Sequence, residues 1–297
     1  MKVMNFGSLN LDYVYQVDHF VQPGETLAAS ARSVKAGGKG LNQSIALKRA
    51  GAETLHAGCL GEGGDMLKRL LKENGVDVTC LKNVPEMQGH AVIQVNSDGE
   101  NCILLYAGSN HAVTKEQIVS ALSLMEKGDW LVLQNEINLL DEIVKQARQR
   151  SLVIVLNPSP YNEALDAVDF ALLDWLLVNE VEAGQITGHS DPDQAFQWLH
   201  ARYPGLSVLI TLGSLGSVAY RVDGSGAYKR AQLPARHVRA VDTTAAGDTY
   251  TGYFVSGLMR GLSLADSMDR ATAAAAVSVT RMGAADSIPR ADELDDA

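Results

Sequence analysis

The chain has 297 residues, of which 46% are hydrophobic and 20% are charged, a composition typical of a globular protein with a large core. Its 35 acidic and 25 basic residues give a formal net charge of -10, which has the wrong sign for a nucleic-acid-binding surface. No apolar stretch reaches the ~18 to 20 residues of a membrane span, and the N-terminus does not resemble a signal peptide. We therefore expect neither a nucleic acid nor a membrane as a partner.

The three cysteines indicate a reducing compartment. Cys59, Cys80 and Cys102 lie far apart and form no C-x-x-C pair. This spacing predicts neither a disulfide framework nor a zinc site. We expect the protein to be cytoplasmic.

Two stretches in the first third of the chain predict a small β-sheet. The first runs from Tyr13 to Val34 with Pro23 and Gly24 in a turn, and the second runs from His90 to Tyr106 around the turn sequence SDGE. Ligands of open α/β sheets bind at the carboxyl ends of the parallel strands, where a β flap would act as a lid. We predict such a lid over residues 13–34 and 90–106.

The sequence KAGGKGLNQSIALKRAG, residues 35–51, places a glycine cluster before a helix. It is not a Walker A loop, because Gly40 rather than Ser or Thr follows Lys39. No G-x-G-x-x-G with a later acid indicates a dinucleotide fold. Gly38 lets the backbone approach a ligand closely, and Lys39 and Asn42 add polar groups. The loop therefore favours a hydroxyl-rich ligand.

From residue 65 onward, helices alternate with short apolar strands. One predicted helix, Asp65–Asn74, stops at Gly75, and another, Leu139–Arg150, precedes a strand that begins at Leu152. The runs WLVLQ, LVIVLN, WLLVN and VLITLG are rich in Val, Ile and Leu, which is typical of parallel strands buried on both faces. We predict an α/β fold with a mainly parallel sheet. No linker or repeat divides the chain, so we expect one domain over residues 1–297.

A second cluster of small residues, within VRAVDTTAAGDTYTGYF, opens another helix. Ala245, Ala246 and Gly247 occupy its first turn, whose free N–H groups and positive dipole end form an anion site without a basic side chain. Asp248 would repel a resting phosphate, but it can accept the proton of an alcohol that attacks one. The cluster therefore predicts phosphoryl transfer, in which orientation and charge stabilisation dominate.

The last predicted helix serves packing. Its apolar residues share one face, namely Leu264, Met268, Ala271, Ala275, Val279 and Met282. Gly283 is expected to end this helix.

Both clusters resemble known signatures. Gly37–Gly40 with Asn42, and Asp242-Thr243 followed by Ala246–Asp248, resemble the two motifs of the ribokinase family of carbohydrate kinases, also called the phosphofructokinase-B family. The likeness runs from GSLNLD to VTRMGAADSIP, and Ala245 is typical of the ribokinase branch. Ser44 replaces a common Ala, a change to which we assign no function. The resemblance implies a three-layer αβα sandwich with a β-sheet lid.

The resemblance also implies roles for individual residues. Sugar hydroxyls are bound by Asn10, Asp12, Gly38, Lys39, Asn42 and Glu136. The base is Asp248, and the anion hole consists of Ala245, Ala246 and Gly247. The nucleotide and its Mg2+ lie near Asn179, Glu182, Thr211, Gly213 and Gly216, with Glu182 reaching the metal through water. A monovalent cation, K+, is held by Asp242, Thr244, the backbone of Ser278, Arg281 and Gly283, and the hydroxyl of Ser287.

These observations predict an ATP-dependent sugar kinase that phosphorylates a primary hydroxyl, foremost the 5-hydroxyl of D-ribose. Alternative substrates within the family are a deoxyribose, a ketohexose or its phosphate, and a nucleoside. A non-catalytic sugar-binding sensor is a further alternative, which Asp248 disfavours because a binder needs no base. By resemblance to ribokinases, whose lids pair, we also expect a homodimer formed through the lid.

Overall fold

A computed structural model of the protein describes residues 1–294. Within these residues the chain forms thirteen strands and eight α-helices. In chain order the strands are β1 (Val3–Phe6), β2 (Asn10–Gln16), β3 (Ala31–Gly37), β4 (Thr54–Glu62), β5 (Asp77–Met87), β6 (His90–Val95), β7 (Asn101–Tyr106), β8 (Trp130–Gln134), β9 (Val153–Asn157), β10 (Trp175–Asn179), β11 (Ser207–Thr211), β12 (Ser217–Val222) and β13 (Tyr228–Leu233). The helices are α1 (Lys39–Arg49), α2 (Asp65–Glu73), α3 (Lys115–Leu122), α4 (Leu140–Gln149), α5 (Glu180–Thr187), α6 (Pro192–Arg202), α7 (Ala246–Met259) and α8 (Leu264–Ser278).

The strands form two sheets. The large sheet has nine strands in the order β13-β12-β11-β10-β9-β8-β1-β4-β5. Every neighbouring pair is parallel except the two that involve β12, which runs antiparallel to β11 and to β13. The small sheet has the order β3-β2-β6-β7, in which each hairpin is antiparallel and the central pair is parallel. The predicted α/β class, with a mainly parallel sheet and a small β-sheet, is confirmed.

Alternate residues of the central strands enter two separate cores, because successive side chains of a strand point to opposite faces. In β8, Leu131 and Leu133 pack in the core under α3 to α6, whereas Trp130 and Val132 pack in the core under α1, α2, α7 and α8. Helices therefore cover both faces of the large sheet. This explains why its strands are unbroken apolar runs in the sequence.

Several helices begin at a side-chain cap. Thr114, Asp191 and Ser263 each accept a hydrogen bond from a backbone N–H in the first turn of α3, α6 and α8, respectively. Such caps satisfy N–H groups that have no partner within the helix. Among the helices of residues 1–294, none is long and apolar enough to cross a membrane.

Most predicted boundaries agree with the structure. Helix α2 ends just before Gly75, whose φ of +78° suits glycine, and α4 lies within the predicted 139–150. The strands of the small sheet extend further than predicted, since β2 begins at Asn10 and β3 ends at Gly37. The small sheet therefore reaches the first glycine loop.

The predicted end of the last helix is wrong. Helix α8 stops at Ser278 rather than continuing to Gly283. The reason is a competing contact, because the carbonyl of Val279 accepts the N–H groups of Val241 at 2.7 Å and Asp242 at 3.2 Å. The N–H of Gly283 turns to Asp242 Oδ2 at 2.9 Å. The segment before α7 thus takes over the end of α8.

Helices α1 and α7 pack unusually close together at Gly252. A Cβ built on Gly252 would lie 2.4 Å from the Cβ of Ala46 and 2.7 Å from the backbone N of Leu47. Only glycine fits at this contact. In α5, by contrast, a Cβ on Gly184 would meet its nearest neighbour, the carbonyl of His189, at 3.8 Å.

This contrast makes a stability prediction. We expect Gly252→Ala to lower the free energy of unfolding by about 1 to 3 kcal/mol, because one added methyl forces two backbones apart. Urea denaturation monitored by circular dichroism would measure the change. The control Gly184→Ala should be neutral or stabilise by up to about 1 kcal/mol, since alanine favours a helix and has room there. Equal stability of the two variants would contradict the close packing of α1 on α7.

Candidate active site

Polar residues gather at one edge of the large sheet. They stand at or just after the carboxyl ends of five parallel strands, namely Ser8 after β1, Glu136 after β8, Asn157 in β9, Asn179 in β10 and Thr211 in β11. In open α/β folds this edge is where ligands bind. The two loops singled out in the sequence, which begin α1 and α7, meet at the same edge.

Glu136 anchors the first glycine loop to this edge. Its Oε2 accepts the backbone N–H of Lys39 at 3.1 Å and the hydroxyl of Ser8. The Oγ of Ser8 also accepts the N–H of Gly40 at 3.2 Å. A Cβ on Gly40 would lie 2.3 Å from the backbone N of Ser8, so the loop can approach only with glycine. Burial raises the pKa of Glu136, and the Lys39 ammonium opposes that shift.

Asp12 enters the site from the small sheet. It pairs with Lys35 across β2 and β3, and a Cβ on Gly37 would lie 2.0 Å from its Oδ2. Burial raises the pKa of Asp12 to about 7; Glu136 adds to the shift and Lys35 opposes it. Near neutral pH the carboxyl group therefore changes between a hydrogen-bond donor and a pure acceptor.

Asn10 and Gly38 lie beside one another at the base of the small sheet. Gly38 has a φ of +94°, and a Cβ there would be 2.9 Å from the backbone N of Asn10. The Oδ1 of Asn10 accepts a hydrogen bond from Nδ2 of Asn110 at 2.7 Å. Asn110 in turn accepts the N–H of Leu9 at 2.9 Å. This contact ties the start of β2 to the segment that follows β7.

Asp248 is buried in the first turn of α7, and two amides of α1 hold its carboxylate. Asn42 Nδ2 donates to Oδ2 at 3.0 Å, and Gln43 Nε2 donates to Oδ1 at 2.9 Å. The Oδ1 of Asn42 is buried and has no hydrogen-bond partner among residues 1–294. A buried amide oxygen without a partner is costly, so this atom fits a ligand that donates a hydroxyl proton.

The loop before Asp248 presents backbone N–H groups to the same space. Ala245 adopts the left-handed conformation, with a φ of +62°, and turns the chain into α7 without a side-chain cap. Within residues 1–294 the N–H groups of Gly247 and Asp248 have no hydrogen-bond partner. Together with the positive end of the helix dipole, they form an anion-binding surface.

Lys39 completes a cavity of about 230 Å³ in front of this surface. The cavity is lined among others by Lys39, Asn179, Glu182, Thr243, Ala245, Gly247 and Asp248. Burial alone would lower the pKa of Lys39. Three carboxylates outweigh burial and raise that pKa, those of Asp248, Glu136 and Glu182. The ammonium group is therefore charged and faces a site rich in carboxylates.

Asn179 and Glu182 form a capping box at the start of α5. Asn179 Oδ1 accepts the N–H of Glu182 at 2.8 Å, and Glu182 Oε2 accepts the N–H of Asn179 at 3.1 Å. The NEVE motif thus begins a helix as well as lining the cavity. Glu182 is buried, and its second oxygen, Oε1, is not used in the box.

A second, more apolar cavity of about 360 Å³ adjoins the first. Its lining includes Thr211, Gly213, Gly216, Val238, Tyr250, Ala275 and Ala276. Gly216 has a structural reason for being glycine, since its φ is +103° and a Cβ would lie 2.1 Å from the carbonyl of Leu233. Gly213 has open space around it. An apolar cleft beside an anion-binding helix start suits a flat base attached to phosphates.

Comparison with known proteins identifies the family. Residues 1–291 match the description "pfkB family carbohydrate kinase". The chain belongs to the pfkB family of carbohydrate kinases. The resemblance predicted from the two glycine motifs, and with it the enzyme class, is confirmed.

Ribokinases are similar to this pfkB-family kinase over its whole length. Ribokinase from Haemophilus influenzae is 36% identical over 298 residues, which cover 97% of this chain and 95% of that protein. The crystal structure of ribokinase from Cryptococcus neoformans var. grubii in complex with ADP has a TM-score of 0.86 and 33% identity, and the match covers 99% of each chain. Arabidopsis thaliana ribokinase complexed with ribose and ATP has a TM-score of 0.86 and 27% identity, covering 99% of this chain and 97% of that chain.

The residues predicted to hold a monovalent cation in this kinase lie in two neighbouring segments, 242–244 before α7 and 278–287 at and after the end of α8. Asp242 joins the two loops, because its Oδ1 accepts the N–H of Thr244 at 2.9 Å and its Oδ2 accepts that of Gly283. The carbonyl of Ser278 accepts the N–H of Arg281 at 3.0 Å. Ser287 is buried, and its hydroxyl donates to the carbonyl of Ala284 at 2.8 Å. These groups supply oxygen atoms that still have free lone pairs.

The structure adds site residues that sequence reasoning missed. Ser8 holds Glu136, and Asn157 accepts a hydrogen bond from Gln43 at 3.0 Å. Ser44, to which no function was assigned, hydrogen-bonds to two buried polar side chains beneath the same site. Gln43 and Ser44 follow Asn42 directly, so their place in the motif was the available signal.

The raised pKa of Asp12 predicts a pH dependence of sugar binding. If the ionised carboxylate accepts sugar hydroxyl protons, a pKa of about 7 means that the competent form falls roughly tenfold from pH 8 to pH 6. The sugar Kd, measured by calorimetry without ATP, should then rise roughly tenfold over that range. The Asp12→Asn variant should bind the sugar more weakly than the wild type does, and its Kd should not change with pH. A flat wild-type profile would rule out ionised Asp12 as the acceptor.

Proposed function

We propose that this kinase transfers the γ-phosphoryl group of ATP to the 5-hydroxyl of D-ribose, giving ribose 5-phosphate and ADP. The observation that carries the proposal is the convergence of Asp248, the sugar loop at Lys39 and the N–H groups of α7 on one cavity. Full-length similarity to ribokinases supports ribose as the sugar. The reaction belongs in the cytoplasm, where free thiols such as Cys59 stay reduced.

The sugar would lie between the small sheet and the loop that begins α1. Its hydroxyl groups meet Asn10, Asp12, Gly38, Lys39, Asn42 and Glu136. The unpartnered Oδ1 of Asn42 accepts one hydroxyl proton, while Asn42 Nδ2 stays on Asp248. One side chain therefore contacts both the sugar and the base. This places the sugar next to the atom that removes its proton.

Asp248 is the base in this proposal. Its carboxylate accepts the proton of the 5-hydroxyl as the sugar oxygen forms a bond to the γ-phosphorus and the bond from that phosphorus to the β,γ-bridging oxygen breaks. In a loose transition state proton removal comes late, so the position of Asp248 matters more than its basicity. The two amide donors from α1 fix that position.

Charge on the transferred phosphoryl group would be stabilised by the start of α7. The N–H groups of Gly247 and Asp248, which follow Ala245 and Ala246, have no partner within residues 1–294 and require no reorganisation during the reaction. Lys39 adds a positive charge to the lining of the same cavity. An acidic protein can therefore hold an anionic group locally.

Nucleotide and metal groups fit the remaining residues. Thr211, Gly213 and Gly216 line the apolar cleft that suits adenosine. The buried Glu182 keeps one carboxylate oxygen outside its capping box, which fits a hydrated Mg2+ beside Asn179. When bound, Mg2+ would neutralise phosphate charge. The two cavities adjoin at Thr211, Thr243 and Gly247. This arrangement would let ATP run from its adenine in the apolar cleft to its γ-phosphate in front of α7.

The proposed function is tested by turnover and by one substitution at the base. Coupled ADP release should be fastest with ribose in a panel that includes deoxyribose, ketohexoses, ketohexose phosphates and nucleosides. Asp248→Asn should lower kcat by about 10² to 10⁴ while sugar and ATP still bind. The control Asp141→Asn, at a surface ion pair of α4, should retain normal turnover. No turnover with any panel member would favour the alternative of a non-catalytic sugar-binding sensor. A near-normal kcat in Asp248→Asn would rule out Asp248 as the base.

A monovalent cation site next to the anion loop forms part of the proposal. Oxygen atoms of Asp242, Thr244, Ser278, Arg281, Gly283 and Ser287 would bind K+. Because Asp242 also joins the two loops, a bound cation would stabilise the turn that leads into α7.

Replacing K+ by tetramethylammonium at constant ionic strength should therefore lower kcat several-fold. Asp242→Ala should have a low kcat in both buffers, because the carboxylate that binds the cation is gone. A wild-type kcat that is the same in both buffers would disprove cation dependence.

We extend the proposal to a homodimer formed through the small sheet. Its edge strand β7 exposes four large side chains in a row, with exposed fractions of 52% for Ile103, 71% for Leu104, 51% for Leu105 and 54% for Tyr106. A long apolar edge strand needs a cover, and a second copy of the same sheet supplies one.

Light scattering after gel filtration should accordingly give twice the mass of one chain. Leu104→Glu should shift the protein to monomer, because it places a charge in the apolar contact. Val119→Glu, on the exposed side of α3, should remain dimeric. A monomeric wild type would disprove the dimer.

A further inference from the structure

A connected set of polar side chains, all buried except the half-buried Asn157, leads from Asp248 into the core beneath α1. Its members are Asp248, Gln43, Asn157, Gln134, Asn5, Ser44 and His56. Gln43 Nε2 donates to Asp248 Oδ1 at 2.9 Å and to Asn157 Oδ1 at 3.0 Å. Gln134 Nε2 donates to Gln43 Oε1 at 2.7 Å and to Asn5 Oδ1 at 2.8 Å.

The chemistry of Asp248 fixes the direction of these hydrogen bonds. An ionised carboxylate only accepts, so Gln43 must turn its NH₂ group toward Asp248 and its oxygen toward Gln134. Gln134 must then donate to that oxygen. A reversed amide at either glutamine would set two acceptors or two donors against each other in the core.

The other end of the set holds Gln134 in the required orientation. Asn5 accepts from Gln134, so its own NH₂ group donates to the carbonyl of Gly40 at 2.7 Å and to Ser44 Oγ at 2.8 Å. Ser44 Oγ lies 2.7 Å from Nδ1 of His56. Burial lowers the pKa of His56 to about 3, so the neutral ring can accept the proton of Ser44.

Burial makes a reversed amide costly at both glutamines. The side chains of Gln43 and Gln134 have no exposed surface. A Cβ on Gly7 would lie 2.2 Å from Oε1 of Gln134, so the backbone after β1 presses against that amide. A reversed amide would lose these hydrogen bonds without gaining any to water, which leaves a single orientation for each side chain.

We propose that Gln43 is a positioning residue for this kinase, and that Gln134 orients Gln43 so that its NH₂ group always faces Asp248. The proposal rests on the proposed role of Asp248 as base. Asn42 holds one oxygen of that carboxylate and Gln43 the other, so the plane of the carboxylate is fixed before the sugar arrives. Misplacement of a reacting group by about 1 Å can lower a rate by about 10².

The first test separates positioning from binding. Gln43→Ala should lower kcat by about 10- to 100-fold, while KM for ATP stays within about threefold, because Gln43 contacts the base and not the nucleotide. The control is Gln117→Ala, which removes another buried glutamine, hydrogen-bonded to the carbonyl of Gly58 at 2.7 Å in the opposite core. A kcat for Gln43→Ala within about threefold of that control would overturn the proposal.

The second test uses the nearly isosteric Gln43→Glu, which keeps the packing if the alanine variant fails to fold. The introduced carboxyl group can still donate to Asp248 while it is protonated, whereas its ionised form repels Asp248. At saturating sugar, the ratio of the variant's kcat to that of the wild type should therefore fall as the pH rises from about 6 to about 9. Of the titratable groups here, Asp248 contacts this position directly. Lys39, Glu136 and Glu182 interact with Asp248 or with one another in the same cavity, and His56 lies at the far end of the buried set; both proteins share all of these groups.

The two tests also distinguish this proposal from the proposed function. If the kcat ratio of Gln43→Glu is constant with pH, Gln43 does not position the base, even when Asp248→Asn is inactive. If Asp248→Asn is active, the base itself is wrong and the role of Gln43 falls with it.

Discussion

Helix α1 lies against α7 at Gly252, where the missing Cβ lets the backbone at Ala46 and Leu47 come within contact distance. The rest of the site depends on this contact. Asn42 and Gln43 sit one turn before Ala46 on α1, and Asp248 sits one turn before Gly252 on α7. The close approach therefore places two amides against a carboxylate that lies 206 and 205 residues further along the sequence. A wider helix spacing would leave that carboxylate buried without its donors, which is costly.

Around the cavity, the one Lys39 ammonium is outnumbered by carboxylates. Three carboxylates surround the Lys39 ammonium and offset the cost of burying it. The same carboxylates disfavour a bound phosphate. In the proposed function, attraction therefore comes from the Lys39 ammonium, from the uncharged N–H groups at the start of α7, and from cations that enter with the nucleotide. This explains how a protein with a net charge of -10 can bind a polyanion.

Much of this organisation was predictable because it is written in local patterns. Apolar runs such as WLVLQ predicted buried parallel strands, and Gly75 marked a helix end. The glycine motifs predicted the family, since both depend on backbone shape at a helix start. The end of α8 was not predictable in this way. Its helical spacing of apolar residues continues to Met282. The helix nevertheless ends at Ser278, because the backbone N–H groups of Val241 and Asp242, distant in sequence, bind the carbonyl of Val279.

Local sequence was enough to predict the α/β class, the main strands and the two helix starts that meet at the site, because each follows from side-chain periodicity and from backbone freedom at glycine. The partners of Gln43, Ser44 and His56, in contrast, depend on tertiary packing. A buried polar side chain can be satisfied by any suitable group that packing brings near it, and the sequence does not state which group that is. The hydrogen bonds that hold Asp248 arise only once α1, α7 and the ends of β1 and β8 have packed together.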